Sequence, residues 1–154
     1  VKKELDEALC AKYPKIFKNR HGNMKETLMC WGFECGDGWY KILDSLCAQI
    51  QHYTDWNNDN HAKGYKQYKQ VPQVVAIQVK EKFGGLRFYY DGGDDQIFGM
   101  VRMAESWAAQ TCEECGESGT IRHDGWMRTL CDKHEAEYQE RQTERFAKDN
   151  GLEL

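Results

Sequence analysis

Only two prolines occur in 154 residues, and no uninterrupted run of about 18 apolar residues appears, the length a membrane-crossing helix needs. The opening residues, VKKELDEALC, are heavily charged and lack the apolar stretch of a signal peptide. A membrane protein and an exported one are therefore not expected, and the chain reads as cytoplasmic. There is no internal repeat and no low-complexity tract. The chain also lacks a G-x4-G-K-[ST] phosphate loop, an H-E-x-x-H helix and the paired signatures of the zinc deaminases, so the usual routes to nucleotide hydrolysis and metal-assisted catalysis are missing. A large positive charge is missing too: residues 1–92 hold 14 Lys and Arg against 11 Asp and Glu, and residues 93–154 hold 7 against 14. A strongly basic nucleic-acid-binding domain is not the default reading of that balance.

What the chain does contain is enough to fold. It is 40% hydrophobic and 12% aromatic, above what a disordered chain carries, and its length suits one domain, residues 1–154. Residues 2–12 predict a short helix with Leu5 and Leu9 on one side, stopped at Pro14. A mixed, loop-like stretch follows, until Asp37 offers a cap. Trp39, Ile42, Leu43, Leu46, Cys47 and Ile50 then recur at helical spacing and predict a core helix over 37–52. Residues 53–73 turn polar, with an Asn/Asp cluster, and read as an exposed connection.

Val75, Ile77 and Val79 alternate with Ala76, Gln78 and Lys80, and Leu86, Phe88 and Tyr90 alternate after Gly84-Gly85. That pattern predicts a β-hairpin over 74–91 with one apolar face. Asp94-Asp95 can cap a further helix over 95–110 carrying Ile97, Met100, Val101, Ala104 and Ala108. Trp39, Ile42, Leu46, Ile77, Phe88 and Met100 are the expected core. The fold class is accordingly α+β: a helix and β-hairpin core over 1–110 and a small metal-binding subdomain over 111–148.

Cys112, Cys115, Cys131 and His134 carry that last expectation. Their spacing, C-x2-C-x15-C-x2-H, suits four ligands converging on one zinc ion. Gly116 can take the positive φ of a knuckle, Asp124-Gly125 can turn a hairpin, and Cys131 and His134 fall together at the start of a helix. Knuckle, hairpin and helix in that order describe a treble-clef finger. Four protein ligands leave no open position, so the zinc is expected to be structural and no catalytic residue is assigned. A nuclease would have to use His123, Asp94 and Asp95.

Seven cysteines without a signal peptide argue against a secreted disulfide framework. Cys30, Cys35 and Cys47 could form a second metal site if His21 or His52 approached, although burial is the simpler fate of free cysteines. Lys63, Tyr65, Lys66, Tyr68 and Lys69 interleave cations and aromatic rings. That composition can suit single-stranded nucleic acid or a protein contact, although a solvated loop is the commoner outcome of such a charge cluster.

Four segments in order, ECGDGWYKILDSLC, QVKEKFGGLRFYY, MAESWAAQTCEECG and GWMRTLCDKH, resemble a family of small uncharacterised zinc-binding proteins of bacteriophages and bacteria. The resemblance covers about residues 28–136 and implies a zinc-binding α+β domain carried by a phage, with no established activity to transfer. The expected function is therefore a non-enzymatic, zinc-stabilised protein that attaches to a host protein in the host cytoplasm and modulates it, counter-defence being one such role. The alternative is a nucleic-acid-binding accessory protein using the finger and residues 61–69.

Overall fold

Trp39, Ile42, Leu43, Leu46, Cys47 and Ile50 are all buried, and the stripe they form is the floor on which the other elements assemble. A computed structural model describes residues 1–151. Along these residues the order is α1 (Lys3–Lys12), β1 (Phe33–Glu34), α2 (Tyr40–Ala62), β2 (Val75–Lys82), β3 (Gly85–Asp91), α3 (Asp95–Ala108), β4 (Thr120–Arg122), β5 (Arg128–Leu130) and α4 (Asp132–Asp149). The mixed helix and strand content is that of an α+β fold. No described helix is long and apolar enough to cross a membrane.

The expected core helix is longer than its apolar stripe. A 3-10 turn over Asp37–Trp39 leads into α2, which continues to Ala62 through half of the stretch expected to be an exposed connection. The polar residues there are accommodated by the helix itself. The buried Thr54 hydroxyl donates to the Ile50 carbonyl at 2.8 Å, and the Asn57 and Asn60 amides donate to the carbonyls of Tyr53 and Trp56. These side chains usually compete with helical backbone; here each satisfies itself on the preceding turn. Asn58 reaches out of the helix, clamps the N–H and C=O of Val71 at 2.7 and 2.9 Å, and returns the chain to the core. Asp37 does not cap α2: its carboxylate accepts from the Lys2 N–H at 2.6 Å and ties α1 to this corner.

β1 pairs parallel with β2, and β2 antiparallel with β3. The hairpin turns at Phe83-Gly84, both at positive φ, so the expected turn takes in Phe83 along with the first glycine. Its register corrects one core expectation. Ala76 faces Tyr90 and Gln78 faces Tyr89, so Ile77 is an extra residue in a β-bulge. The bulge reverses the alternation, so that Val74, Ala76 and Val79 are buried while Val75 and Ile77 are only half-buried. Met100, also expected in the core, packs at its margin.

The stretch before α2, which has no sustained period, supplies much of the rest. Ile16, Phe17, Met29 and Phe33 are buried, Phe17 meets Phe33 edge-to-face at 4.9 Å, and the Ile16 carbonyl accepts from the Ala76 N–H beyond the edge of β2. α1 docks through buried Leu9 and Tyr13, held by Asp6 on Arg20 and by Lys12 and Tyr13 on Asp44.

Candidate metal centre and exposed faces

The two halves of the metal-ligand pattern come from different local structures. Asp94 caps α3 by accepting from the N–H groups of Gln96 and Ile97, and α3 ends at Ala108, three residues before the knuckle. There the Gly116 N–H donates to the Cys112 carbonyl at 2.9 Å, and Gly116 sits at φ +81°, where a side chain would be strained. Cys131 is the N-cap residue of α4 and His134 lies in its first turn. β5 is fixed in front of them by Arg128. This buried guanidinium pairs with Glu135, donates to the carbonyls of Asp124 and Trp126, and stacks on the Tyr138 ring at 4.0 Å. The loop joining β4 and β5 spans 123–127, longer than the two-residue turn expected at Asp124-Gly125.

The ligand atoms of Cys112, Cys115, Cys131 and His134 all lie within 4.8 Å of one another. A tetrahedral zinc site with metal–sulfur bonds near 2.3 Å places its sulfurs about 3.8 Å apart and a sulfur about 3.5 Å from an imidazole nitrogen. Cys115 Sγ is 3.9 Å from Cys131 Sγ, and His134 Nδ1 is 3.5 Å from Cys112 Sγ and 3.2 Å from Cys131 Sγ. The four groups therefore fit a single ion, with Nδ1 as the histidine donor. The carboxylate of Glu137 lies 3.9 Å from Nε2, on the outer side of the ring.

The thiols are tuned unequally. The Glu117 N–H favours the Cys115 thiolate, but burial and the sulfurs of Cys112 and Cys131 outweigh it and push that thiol up to about 11. The N–H of His134 and its neighbouring side chains hold Cys131 down at about 7. An ion bound here would relieve the crowding of sulfurs, displacing protons as it bound.

The knuckle is joined to the core by contacts that the ligand spacing does not reveal. The Gly38 N–H donates to the Glu113 carbonyl at 2.7 Å, the Gly36 N–H to the Glu113 carboxylate at 2.9 Å, and the Trp39 indole to the Thr111 carbonyl at 2.9 Å. Burial pushes the Glu113 carboxyl above the usual range, against the Gly36 N–H that it accepts. From the hairpin side, buried Thr129 donates its hydroxyl to the Gly84 carbonyl and accepts the Glu113 N–H on its own carbonyl.

The other candidates are dispersed. Cys47 is buried in the core, the Cys30 thiol donates to the Thr27 carbonyl, and burial pushes the Cys35 thiol up to about 12. Among the described residues these three do not gather with His21 or His52 into a metal-ligand group. His123 is exposed on the β4–β5 loop, and Asp94 is occupied by its cap and by the Tyr53 hydroxyl at 2.8 Å, so His123, Asp94 and Asp95 form no such group either.

Lys63, Tyr65, Lys66 and Lys69 are exposed just beyond the end of α2, and Tyr68 is half-buried. Tyr68 meets Tyr65 edge-on at 6.5 Å and Trp56, on α2, at 6.4 Å, so the basic-aromatic segment leans on the helix. Between α2 and α3 lies a feature absent from the sequence reading. A groove of about 300 Å³ runs past Ile42, Leu46, Met100 and Ala104, with Met103 and Trp107 standing 72% and 53% exposed on its wall. A second recess past Tyr53 and Trp56 shares Gln49 and Met100 with it. Its sequence signal was the second stripe of α3, Gly99, Met103 and Trp107 at intervals of four, beside the one that faces the core.

The chain matches no family model, and comparison with the curated proteins and with the solved structures finds no match.

Proposed function

We propose that this chain is a non-enzymatic binding protein that attaches to another protein through the α2/α3 face, with its C-terminal part built as a treble-clef finger around one structural zinc ion. Three thiolates and an imidazole form a soft, closed donor set of the kind zinc takes in structural sites. The order knuckle, β4–β5 hairpin and α4 supports the treble-clef description. The observation that carries the functional reading is the groove. A chain with 30% charged residues keeps Lys, Arg, Asp and Glu off both recesses and leaves Met103 and Trp107 in water at their edge. Apolar recesses rimmed by flexible methionines and a tryptophan are characteristic of protein-contact surfaces. All seven cysteines are free, in keeping with a reducing cytoplasm, and the resemblance to phage proteins makes a host protein the target.

Capture from a lysate treated with nuclease tests this reading. The zinc-loaded protein should retain a partner that the Met103→Lys variant, altered at an exposed side chain, does not. Equal retention by both would remove the α2/α3 face from the function. Zinc content should be one ion per chain by elemental analysis.

A second reading has its own observation. Lys66 and Lys69 line a depression with Tyr65 and Tyr68, Tyr68 meets Trp56, and Lys63 stands exposed on the same segment, which suits bases and phosphates of a single strand. Anisotropy with short DNA and RNA at two salt concentrations decides it, because phosphate contacts impose a steep salt dependence.

A further inference from the structure

Resting on the reading of the α2/α3 face as a protein contact, the shape and charge of that face define what would occupy it. Ile42 and Trp56, both on α2, bound the two recesses that share Gln49 and Met100. Fourteen residues of helix separate them, which is about 21 Å, or about four turns of a second helix laid alongside. A groove of that length between two packed helices takes an amphipathic helix as its third member, with apolar anchors one turn apart.

Gly99 supports a close backbone approach. It sits inside α3, where glycine is disfavoured, yet a Cβ there would meet nothing within 4 Å, so the packing of the protein itself does not require it. Gly99 lines the groove, and a missing side chain at that point deepens it.

Charge fixes one end of the occupant. Trp56 lines the second recess and touches Tyr68, which lines a further depression of about 350 Å³ with Lys66, Lys69 and His61. Lys63 stands exposed on the same segment. No carboxylate lines any of the three recesses, and Asp94, which the Tyr53 hydroxyl reaches, is committed to its helix cap. The track thus passes from an uncharged, apolar half to a cationic end. A second copy of this chain offers a poorer occupant through α4: that helix carries carboxylates at Glu137, Glu140 and Glu144 but has a single exposed large apolar residue, Phe146, and so no apolar face to fill the groove.

We infer that the α2/α3 groove seats an amphipathic helix of a partner protein, about four turns long, whose apolar face packs on Met100, Met103 and Trp107 around Gly99 and whose one end presents carboxylates to Lys63, Lys66 and Lys69.

The test uses the full zinc-loaded chain and a displayed library of 18-residue peptides with randomised residues on an amphipathic helical frame, selected for binding and counter-selected against Met103→Lys. Enriched peptides should carry Asp or Glu at one end, and the tightest, made synthetically, should lose about tenfold or more in affinity with Met103→Lys. Lys63→Gln, Lys66→Gln and Lys69→Gln combined should flatten the salt dependence of binding while leaving an apolar, uncharged control peptide unaffected. Gly99→Leu guards against a folding artefact: it should raise Tm, because glycine is lost from a helix interior into open space, and still weaken binding.

Failure to enrich any peptide over Met103→Lys overturns the helical occupant, and enrichment without acidic ends overturns the charged one. If sedimentation shows a dimer that Met103→Lys dissociates, the second copy is the occupant. If an oligonucleotide binds with steep salt dependence and the combined Lys63→Gln, Lys66→Gln and Lys69→Gln variant abolishes that binding, while no peptide is enriched, the occupant is a nucleic acid. Lysate capture that remains sensitive to Met103→Lys while the library yields nothing keeps the protein-contact reading and removes only the helix.

Discussion

The indole N–H of Trp39 donates to the carbonyl of Thr111 at 2.9 Å, joining a fully buried side chain at the start of α2 to the residue before Cys112 of the candidate metal centre. The core and the candidate metal centre therefore share a hydrogen bond as well as a chain connection. Trp39→Phe keeps an aromatic ring but leaves the Thr111 carbonyl unpaired and a gap beside it. It should cost about 1–3 kcal/mol of stability. Urea unfolding with zinc present checks this, and a competition titration should show weaker metal binding in the same variant.

Gly38 lies closer still. A Cβ on it would stand 2.1 Å from the Cys112 carbonyl oxygen and 2.6 Å from the Gly116 nitrogen, both backbone atoms. Gly38→Ala should therefore separate the knuckle from the start of α2. The expected outcome is a loss of zinc stoichiometry and a fall in Tm well beyond that of an exposed helical substitution, read by elemental analysis and calorimetry.

Removing the ion should be felt unevenly. Three strands and helices hold the core by apolar packing, whereas β4, β5 and the first turn of α4 are joined by Arg128 and by the Cys112, Cys115, Cys131 and His134 cluster that could hold the ion. Chelation should expose the amides of 112–134 to exchange first, while Val79 and Leu86 in the core hairpin remain protected. Simultaneous loss of protection everywhere would show instead that the Trp39 and Gly38 bonds bind the two parts into one cooperative unit.

The clustering of Cys112, Cys115, Cys131 and His134 was legible because four residues at fixed short spacings constrain each other, and the structure brings them close enough that they could hold one ion. The stripe from Trp39 to Ile50 was legible because burial repeats with the helix period. The extension of α2 to Ala62 was not, since Asn57, Asn58 and Asn60 have the composition of a loop and become helical only through bonds to carbonyls, one of them thirteen residues away in sequence. The apolar contribution of Ile16, Met29 and Phe33 was hidden for a similar reason: an irregular segment buries residues without a period to announce them.

The bulge at Ile77 separates pattern from structure in one experiment. Strict alternation would bury Ile77 and Val79 alike, but Val79 is fully buried and Ile77 is the unpaired extra residue, half-exposed. Val79→Ala should cost about 2–3 kcal/mol, and Ile77→Ala, though it removes more atoms, about half of that. Denaturant midpoints of the two variants give the comparison, and an equal or larger loss at Ile77 would contradict the bulged register.

Asp44 gives the acid limb of stability a specific origin. Burial pushes its carboxyl up, but hydrogen bonds from Lys12 at 2.8 Å and from the Tyr13 hydroxyl at 2.7 Å overcome this and hold it below the usual carboxylate range. A carboxyl whose value is lower in the folded than in the unfolded chain contributes stability that is fully present above its unfolded value, about 3.9, and is lost as pH falls through the folded value. The site is partly exposed, so solvent screening keeps the contribution small, on the order of 1 kcal/mol or less. Asp44→Asn should therefore be less stable than the parent at pH 7, and the difference should shrink below about pH 4 as the parent protonates. Chemical unfolding of both proteins from pH 7 to pH 3 measures it. A difference independent of pH would assign the effect of the substitution to the packing of α1 on α2 and not to the charge of Asp44.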